Sequence, residues 1–174
     1  GNDEKNWLLI PVGADWTDNT KILGFYNPLA IDGKGEYEKT AILKLIERAN
    51  LPENKSVPFF IILDEMNLSH VERYFADFLS HMETPDLIFV LDGYPGVFRY
   101  PENLFVVGTV NIDETTYMFS PKVLDRANVI EFKPEENSVL DLFVNPADNE
   151  NINPASDGTA EAFEKMAALI RAGK

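Results

Sequence analysis

The strongest chemical signal in the sequence is a pair of adjacent carboxylates at the end of an apolar run. Phe59–Leu63 is continuously apolar and leads directly into Asp64 and Glu65. Such a run is typical of a buried strand in an α/β sheet, and ligands bind at the carboxyl edge of such sheets. Adjacent strand residues point to opposite faces, so these acids do not form a glycosidase-type pair acting on one bond. The pattern favours a nucleotide hydrolase, in which the first acid holds Mg²⁺ and the second polarises water. The alternative is that two acids simply end a strand at the surface.

Two other polar residues follow later elements. Asn111 follows the strand predicted over 104–110, where its amide could orient water near a γ-phosphate or simply form a turn. Arg126 ends a short predicted helix that starts at Ser120–Pro121, an N-cap followed by Pro at the first helical position. Its guanidinium could pair with Asp125 or reach a neighbouring subunit's phosphate as an arginine finger.

Four apolar runs predict the strands that position these residues: Trp7–Val12, Phe59–Leu63, Leu104–Val107 and Val129–Phe132. The second and third are continuous, which is typical of parallel strands buried on both faces. Pro11 cannot donate to a sheet ladder, so the first run should be an edge strand. Two shorter apolar stretches between 87 and 99 flank Asp92-Gly93 and predict a hairpin.

Helical periodicity separates the strands. Apolar residues recur at helical spacing over 37–49, 67–83 and 160–172. Ser69 and Glu72 could form a capping box at the start of the second segment, and residues 145–158 predict a loop. Strands alternating with helices predict an α/β fold with a mostly parallel sheet covered by helices.

Composition excludes several classes of protein. The 174 residues, 45% hydrophobic and 25% charged, are typical of a globular chain. The absence of cysteine excludes disulfide frameworks, thiolate metal sites and cysteine nucleophiles. A net charge of −14 argues against direct nucleic-acid binding. Apolar runs are too short to span a membrane and the N-terminus is polar, so we expect no membrane partner and a cytoplasmic location.

Taken in order, these motifs resemble the AAA+ nucleotide hydrolases, and in detail their McrB-like branch, which includes the GTP-hydrolysing subunit of modified-DNA restriction systems. The resemblance covers about residues 8–132. It implies a partial AAA+ P-loop NTPase-type core over 1–132, with the hairpin at about 87–99 as an insertion. Residues 133–174 would be a linker and helix that could begin the lid. The stretches that carry the resemblance are Asp15–Asn19, Leu23–Pro28, Ile62–Leu68, Tyr74–Leu79 and Gly108–Ala127.

The resemblance implies a role for each candidate residue. Asp64 would be the Walker B acid that binds Mg²⁺, and Glu65 the catalytic glutamate. Asn111 would be sensor 1, and Arg126 the arginine finger. Asp113 and Glu114 are further candidates to face the nucleotide. The nucleotide would be ATP or GTP, a choice that the sequence leaves open.

The resemblance also implies a pore-facing segment. In AAA+ rings the segment after the strand at Trp7–Val12 faces the central channel. Trp16, Phe25 and Tyr26 are therefore candidates to touch a threaded substrate or partner. The alternative is that these aromatic side chains simply pack a large loop.

The phosphate loop of the family, Gly-x-x-x-x-Gly-Lys-Ser/Thr, does not occur in the sequence. Gly33-Lys34 is followed by Gly35, and Gly173-Lys174 ends the chain. The resemblance therefore implies a fragment that lacks the first (Walker A) strand and starts after it. The alternative is a degenerate hydrolase that lacks the loop naturally. Such a fragment would be inactive and would hold no cofactor, whereas its parent would hydrolyse ATP or GTP with Mg²⁺.

Two functions remain open for the parent. The first is the motor subunit of a McrB-like restriction system, which forms a ring and works with a McrC-type nuclease subunit. The alternative is a MoxR-like AAA+ chaperone or regulatory module that remodels protein partners.

The missing strand has a structural consequence. In the family it lies between the strands at 104–110 and 129–132. We expect these two strands to pair directly, because an unpaired buried edge costs roughly 1–3 kcal/mol per orphan backbone group. The alternatives are that residues 1–6 or 145–158 fill the gap, or that a second chain pairs across it.

Overall fold

The structure, a computed structural model, describes residues 5–30, 35–84, 87–111 and 116–131. Its strands are β1 Trp7–Pro11, β2 Phe25–Asn27, β3 Glu36–Glu38, β4 Phe59–Asp64, β5 Ile88–Phe89, β6 Phe98–Arg99 and β7 Leu104–Gly108. Its helices are α1 Thr20–Leu23, α2 Ala41–Ala49, α3 Val71–Tyr74, α4 Ala76–Glu83 and α5 Pro121–Leu124. The predicted loop 145–158, the predicted helix 160–172 and the two acids Asp113 and Glu114 lie outside the described residues.

A three-stranded parallel sheet forms the centre of this α/β fold, in the order β1-β4-β7. The apolar run at 59–63 forms a strand, as predicted, and this strand lies between β1 and β7. The strand that ends in Pro11 lies at the edge, where the missing N–H of proline breaks no ladder.

The two faces of the sheet differ in burial. Phe59, Ile61 and Leu63 of β4 point into the core, together with the apolar face of α2. The alternate side chains of the three strands form a second apolar face that is only half-buried or exposed: Trp7, Leu9, Phe60, Ile62, Phe105 and Val107. The prediction that these strands are buried on both faces is therefore wrong for the described residues. The continuous apolar pattern indicated two apolar faces, but it could not say that both are covered.

The first predicted helix begins later than expected. Tyr37 lies in β3, paired with Tyr26 of β2 in an antiparallel hairpin. Thr40 caps α2, because its hydroxyl accepts the Leu43 N–H at 3.0 Å. Tyr37 is buried as the helical pattern required, but it reaches the core from a strand.

The second predicted helix, over 67–83, is interrupted. A 3₁₀ turn at Met66–Leu68 precedes α3, and Phe75 separates α3 from α4 with φ −108° and ψ 10°. The Phe75 side chain is buried and stacks on Phe78 with ring centroids 4.6 Å apart. Both helices thus keep apolar side chains in the core although the helix is broken.

The predicted capping box at the start of that segment is wrong. Ser69 donates its hydroxyl hydrogen to the Trp16 carbonyl at 2.7 Å, and Glu72 accepts the Ser120 N–H at 2.9 Å. Residue 70 takes the N-cap position of α3. Both polar side chains of the predicted motif therefore form hydrogen bonds with residues distant in sequence instead of with the local backbone.

The predicted hairpin at 87–99 is confirmed as β5 and β6, which pair antiparallel. Its turn contains Gly93 at φ +72°, a conformation that favours glycine. Tyr94 next to it packs edge-on against Tyr37 at 5.1 Å, and its hydroxyl donates to Glu47 of α2. Through these contacts the hairpin packs against β3 and α2.

The predicted strand at 129–132 is not found over its described residues, and the direct pairing with β7 is wrong. Residues 129–131 adopt no strand, and Val129 and Ile130 are 74% and 77% exposed. Val107 of β7 is itself about half exposed. Residues 1–4 and 145–158, which belong to the alternative segments for pairing with this strand, lie outside the described residues.

None of the described helices could span a membrane, since the longest has nine residues.

Candidate functional site

The candidate site lies at the carboxyl edge of the sheet, where β4 and β7 end side by side. Asp64 is the last residue of β4, and Thr109 follows β7 directly. The backbone ladder continues past the strand ends. Thr109 N–H donates to the Leu63 carbonyl at 2.9 Å, and Met66 N–H donates to the Thr109 carbonyl at 2.8 Å. The two chain segments are therefore held in register where the carboxylates emerge.

A single hydroxyl links the two acids. Thr109 Oγ1 donates to Asp64 Oδ1 at 2.6 Å and accepts the backbone N–H of Glu65 at 2.9 Å. The prediction of the site from sequence missed Thr109. The available signal was its position, since it is the first polar residue after the apolar run of β7.

Glu65 has an unusual backbone conformation. Its φ of 53° and ψ of 48° are left-handed, and within the described part of the chain it is the one residue other than glycine with positive φ. That conformation costs an L-residue roughly 1–2 kcal/mol. Strain of this kind is concentrated at functional sites, where the surrounding contacts must hold it.

Asn111 joins the same cluster. Its Nδ2 donates to Glu65 Oε1 over a long 3.4 Å, while its carbonyl accepts hydrogen bonds from Asn67 Nδ2 at 2.8 Å and Thr116 Oγ1 at 3.0 Å. Asn67 is buried, and its backbone carbonyl accepts the Tyr117 N–H at 2.9 Å. The structure thus brings together three of the predicted site residues: Asp64, Glu65 and Asn111.

The cluster presents two carboxylates, which are oxygen ligands of the type that binds Mg²⁺. Mg²⁺ prefers oxygen ligands and is commonly held by one or two carboxylates together with substrate phosphates. Asp64 and Glu65 supply carboxylates at one solvent-accessible edge. Among the described residues no group of three or more His, Asp or Glu side chains could form a complete metal cage. The two carboxylates therefore supply part of a ligand set that Mg²⁺ could use.

The segment 116–120, which follows the site, packs against the start of α3. The Tyr117 ring packs at a tilt against the His70 ring, with ring centroids 3.8 Å apart, and Glu72 accepts the N–H of Ser120, the N-cap of α5. Burial alone would raise the pKa of Glu72, but hydrogen bonds from Ser120 and from its own backbone, together with the nearby His70, lower that pKa overall. The carboxylate form of Glu72 therefore positions α5.

Arg126 lies just beyond α5 and is engaged within its own chain. Its guanidinium forms an ion pair with Glu83 at the end of α4 and donates to the Lys122 carbonyl. The alternative partner considered from the sequence, Asp125, is not the one seen. The Arg126 side chain is 17% exposed, and the contacts described here tie it to α4 and α5 instead of the carboxylates of the site.

The three aromatic candidates for a pore segment separate into two environments. Trp16 is 8% exposed and packs edge-on against Tyr74, with ring centroids 5.3 Å apart. Phe25 and Tyr26 of β2 are each nearly half exposed. Trp16 therefore has the packing role considered as its alternative, whereas the other two are accessible to a partner.

A scan against protein-family models finds no match for the chain, and no curated protein matches it significantly.

Proposed function

We propose that this chain carries the Walker B, sensor 1 and arginine-finger part of a AAA+ nucleotide triphosphatase of the McrB-like branch, which works as an oligomeric ring. The observation that supports this proposal is the convergence of Asp64, Glu65 and Asn111 at the carboxyl edge of a parallel sheet. In α/β sheets this edge is where ligands bind.

Each residue of the cluster has a distinct role in this proposal. Asp64 provides a carboxylate ligand for Mg²⁺, which when bound with ATP or GTP neutralises charge on the phosphates. Glu65 polarises the attacking water. Asn111, hydrogen-bonded to Glu65 Oε1, keeps that carboxylate aimed at the water. The positions of these groups are important because phosphoryl transfer depends on orientation and electrostatic stabilisation.

The phosphate loop has to come from outside these 174 residues, since none occurs in the sequence. The loop amides and lysine supply most of the affinity for a triphosphate. Without them, two neighbouring carboxylates repel the ligand. We therefore assign hydrolysis to a longer parent protein and expect this chain alone to be inactive.

The test is a pair of substitutions in that parent. Glu65→Gln removes the water-polarising carboxylate and keeps its size, so nucleotide binding should persist while turnover falls at least about 100-fold. Glu53→Gln is the matched control, because Glu53 is an exposed acid in the turn at 52–54, which precedes β4, whereas the site lies at the other end of that strand. Normal turnover in Glu65→Gln would show that the Walker B assignment is wrong.

Arg126 acts in trans in this proposal. Its ion pair with Glu83 would be exchanged for a phosphate of the neighbouring subunit when the ring assembles. Mixing Arg126→Ala subunits with Glu65→Gln subunits should then restore some intact composite sites. If mixed rings form but regain no activity at any ratio, Arg126 serves only its own chain.

The acidic charge favours a second candidate for the ring's task. With a net charge of −14, this part of the protein is unsuited to contact DNA directly. In a restriction system, DNA binding and cleavage would fall to other domains and to a McrC-type nuclease. A MoxR-like module that remodels protein partners would need neither DNA binding nor a nuclease partner. Co-purification of the parent with a nuclease subunit favours restriction, whereas nucleotide-dependent binding of protein partners alone favours remodelling.

A further inference from the structure

We infer that Thr109 is a positioning residue, whose hydroxyl sets the geometry of both carboxylates in the site. This inference rests on the proposed function for its catalytic meaning, but its structural part stands on contacts within this chain. Thr109 is exposed, so its side chain is not required to fill the core. The contribution of the Thr109 side chain to the site therefore comes from the two hydrogen bonds that its hydroxyl forms.

The hydroxyl acts on two different parts of the site at once. By donating to Asp64 Oδ1, it fixes the rotation of the carboxylate that would bind Mg²⁺. By accepting the Glu65 N–H, it holds the residue that has the left-handed backbone. A hydroxyl can do both because it has one donor hydrogen and two acceptor lone pairs.

The backbone of Thr109 and its side chain make separate contributions. The backbone bonds to Leu63 and Met66 hold the two segments together whatever side chain is present. Replacement of Thr109 by Val keeps the shape and these backbone bonds but deletes the hydroxyl. The Glu65 N–H then loses its acceptor, and the Asp64 carboxylate loses a donor. Thr109→Ser keeps the hydroxyl and removes only a methyl group.

The first experiment uses the 174-residue chain without nucleotide. Amide hydrogen exchange, followed by NMR, measures how well the Glu65 N–H is protected. Thr109→Val should speed exchange at Glu65 about tenfold, the effect of losing one typical hydrogen bond. In Thr109→Ser, the exchange rate of the Glu65 N–H should stay within about threefold of its rate in the original protein. Thr17→Val, a substitution at another exposed threonine, should leave the exchange rate of the Glu65 N–H unchanged. Unaltered exchange in Thr109→Val, or equal damage in Thr109→Ser, would overturn the inference.

The second experiment uses the active parent. Thr109→Val should lower kcat about 10- to 100-fold, because a hydrogen bond to a charged group is lost. It should also raise the Mg²⁺ concentration needed for half-maximal rate, and Thr109→Ser should restore both. An unchanged kcat in Thr109→Val would refute the positioning role while the proposed function stands. If instead Glu65→Gln hydrolyses normally, the proposed function fails, and the exchange result still reports on the geometry.

Discussion

Replacement of Tyr74 by Phe should destabilise the protein by about 1–3 kcal/mol while it leaves the core packing intact. The Tyr74 ring is fully buried, and Phe preserves its edge-on contact with Trp16. The hydroxyl donates to the Met66 carbonyl at 2.8 Å, within the turn that follows the two site carboxylates. The substitution removes this donor from a buried acceptor, and an unsatisfied buried group costs about 1–3 kcal/mol.

Urea or thermal unfolding measures the effect. For a chain of this size, 1 kcal/mol corresponds to roughly 2–4 °C in Tm, so we expect a decrease of about 2–12 °C. Tyr117→Phe is the matched control, because Tyr117 is exposed and Phe can keep its ring contact with His70. A Tyr74→Phe protein as stable as the Tyr117→Phe protein would refute the role given to the hydroxyl.

The same pair of proteins tests the ionisation of Tyr74. Burial, and secondarily the nearby Glu72 carboxylate, raise the pKa of Tyr74 well above its ordinary value of 10.0. The neutral hydroxyl is therefore favoured in the folded state. Its stabilising contribution is complete below pH 10 and is lost as the pH rises further, because the unfolded chain ionises first. The stability gap between the original protein and Tyr74→Phe should be constant from about pH 7 to 9 and should shrink above pH 10. A gap that stays constant to pH 11 would contradict this explanation.

Three further predictions concern other parts of the molecule. Gly93→Ala should destabilise the hairpin by at least about 1 kcal/mol, since Gly93 has φ +72° and an added Cβ would lie 2.5 Å from the Tyr26 ring; a melting temperature equal to that of the original protein would contradict this. Glu72→Gln should flatten the acid side of the stability profile, because the lowered pKa of Glu72 means that its contribution is present above the ordinary value of 4.5 and is lost as the pH falls below it; unfolding at pH 3–6 measures this, and identical profiles would refute it. Calorimetry of this chain with ATP or GTP and Mg²⁺ should detect no tight binding, whereas micromolar affinity would show that the phosphate loop is dispensable.

Local sequence patterns were sufficient to predict the parts of the fold that depend on neighbouring residues. The apolar run at 59–63 predicted a strand, and Pro11 predicted that the first strand lies at the edge of the sheet. Asp92-Gly93 predicted the hairpin, and Ser120–Pro121 predicted the start of α5. In each case the information is local: a continuous apolar pattern, a missing N–H, or a residue that tolerates a tight turn.

The candidate site could be predicted only in part. The position of Asp64 and Glu65 after one buried strand and of Asn111 after another was enough to expect that they meet, since the carboxyl ends of parallel strands share an edge. The register of β4 against β7, which places Thr109 between the two acids, is a property of the assembled sheet. No spacing within either segment encodes it.

Tertiary structure decided the partners of polar side chains and the ends of several elements. Ser69 bonds to a residue 53 positions away and Glu72 to one 48 positions away, although a local motif offered them to each other. Arg126 pairs with Glu83 instead of the adjacent Asp125. Segment 129–131 has strand-like composition but adopts no strand. Long-range hydrogen bonds and burial outweigh local preferences worth about 1 kcal/mol or less, so these outcomes depend on which distant surfaces the folded chain brings together.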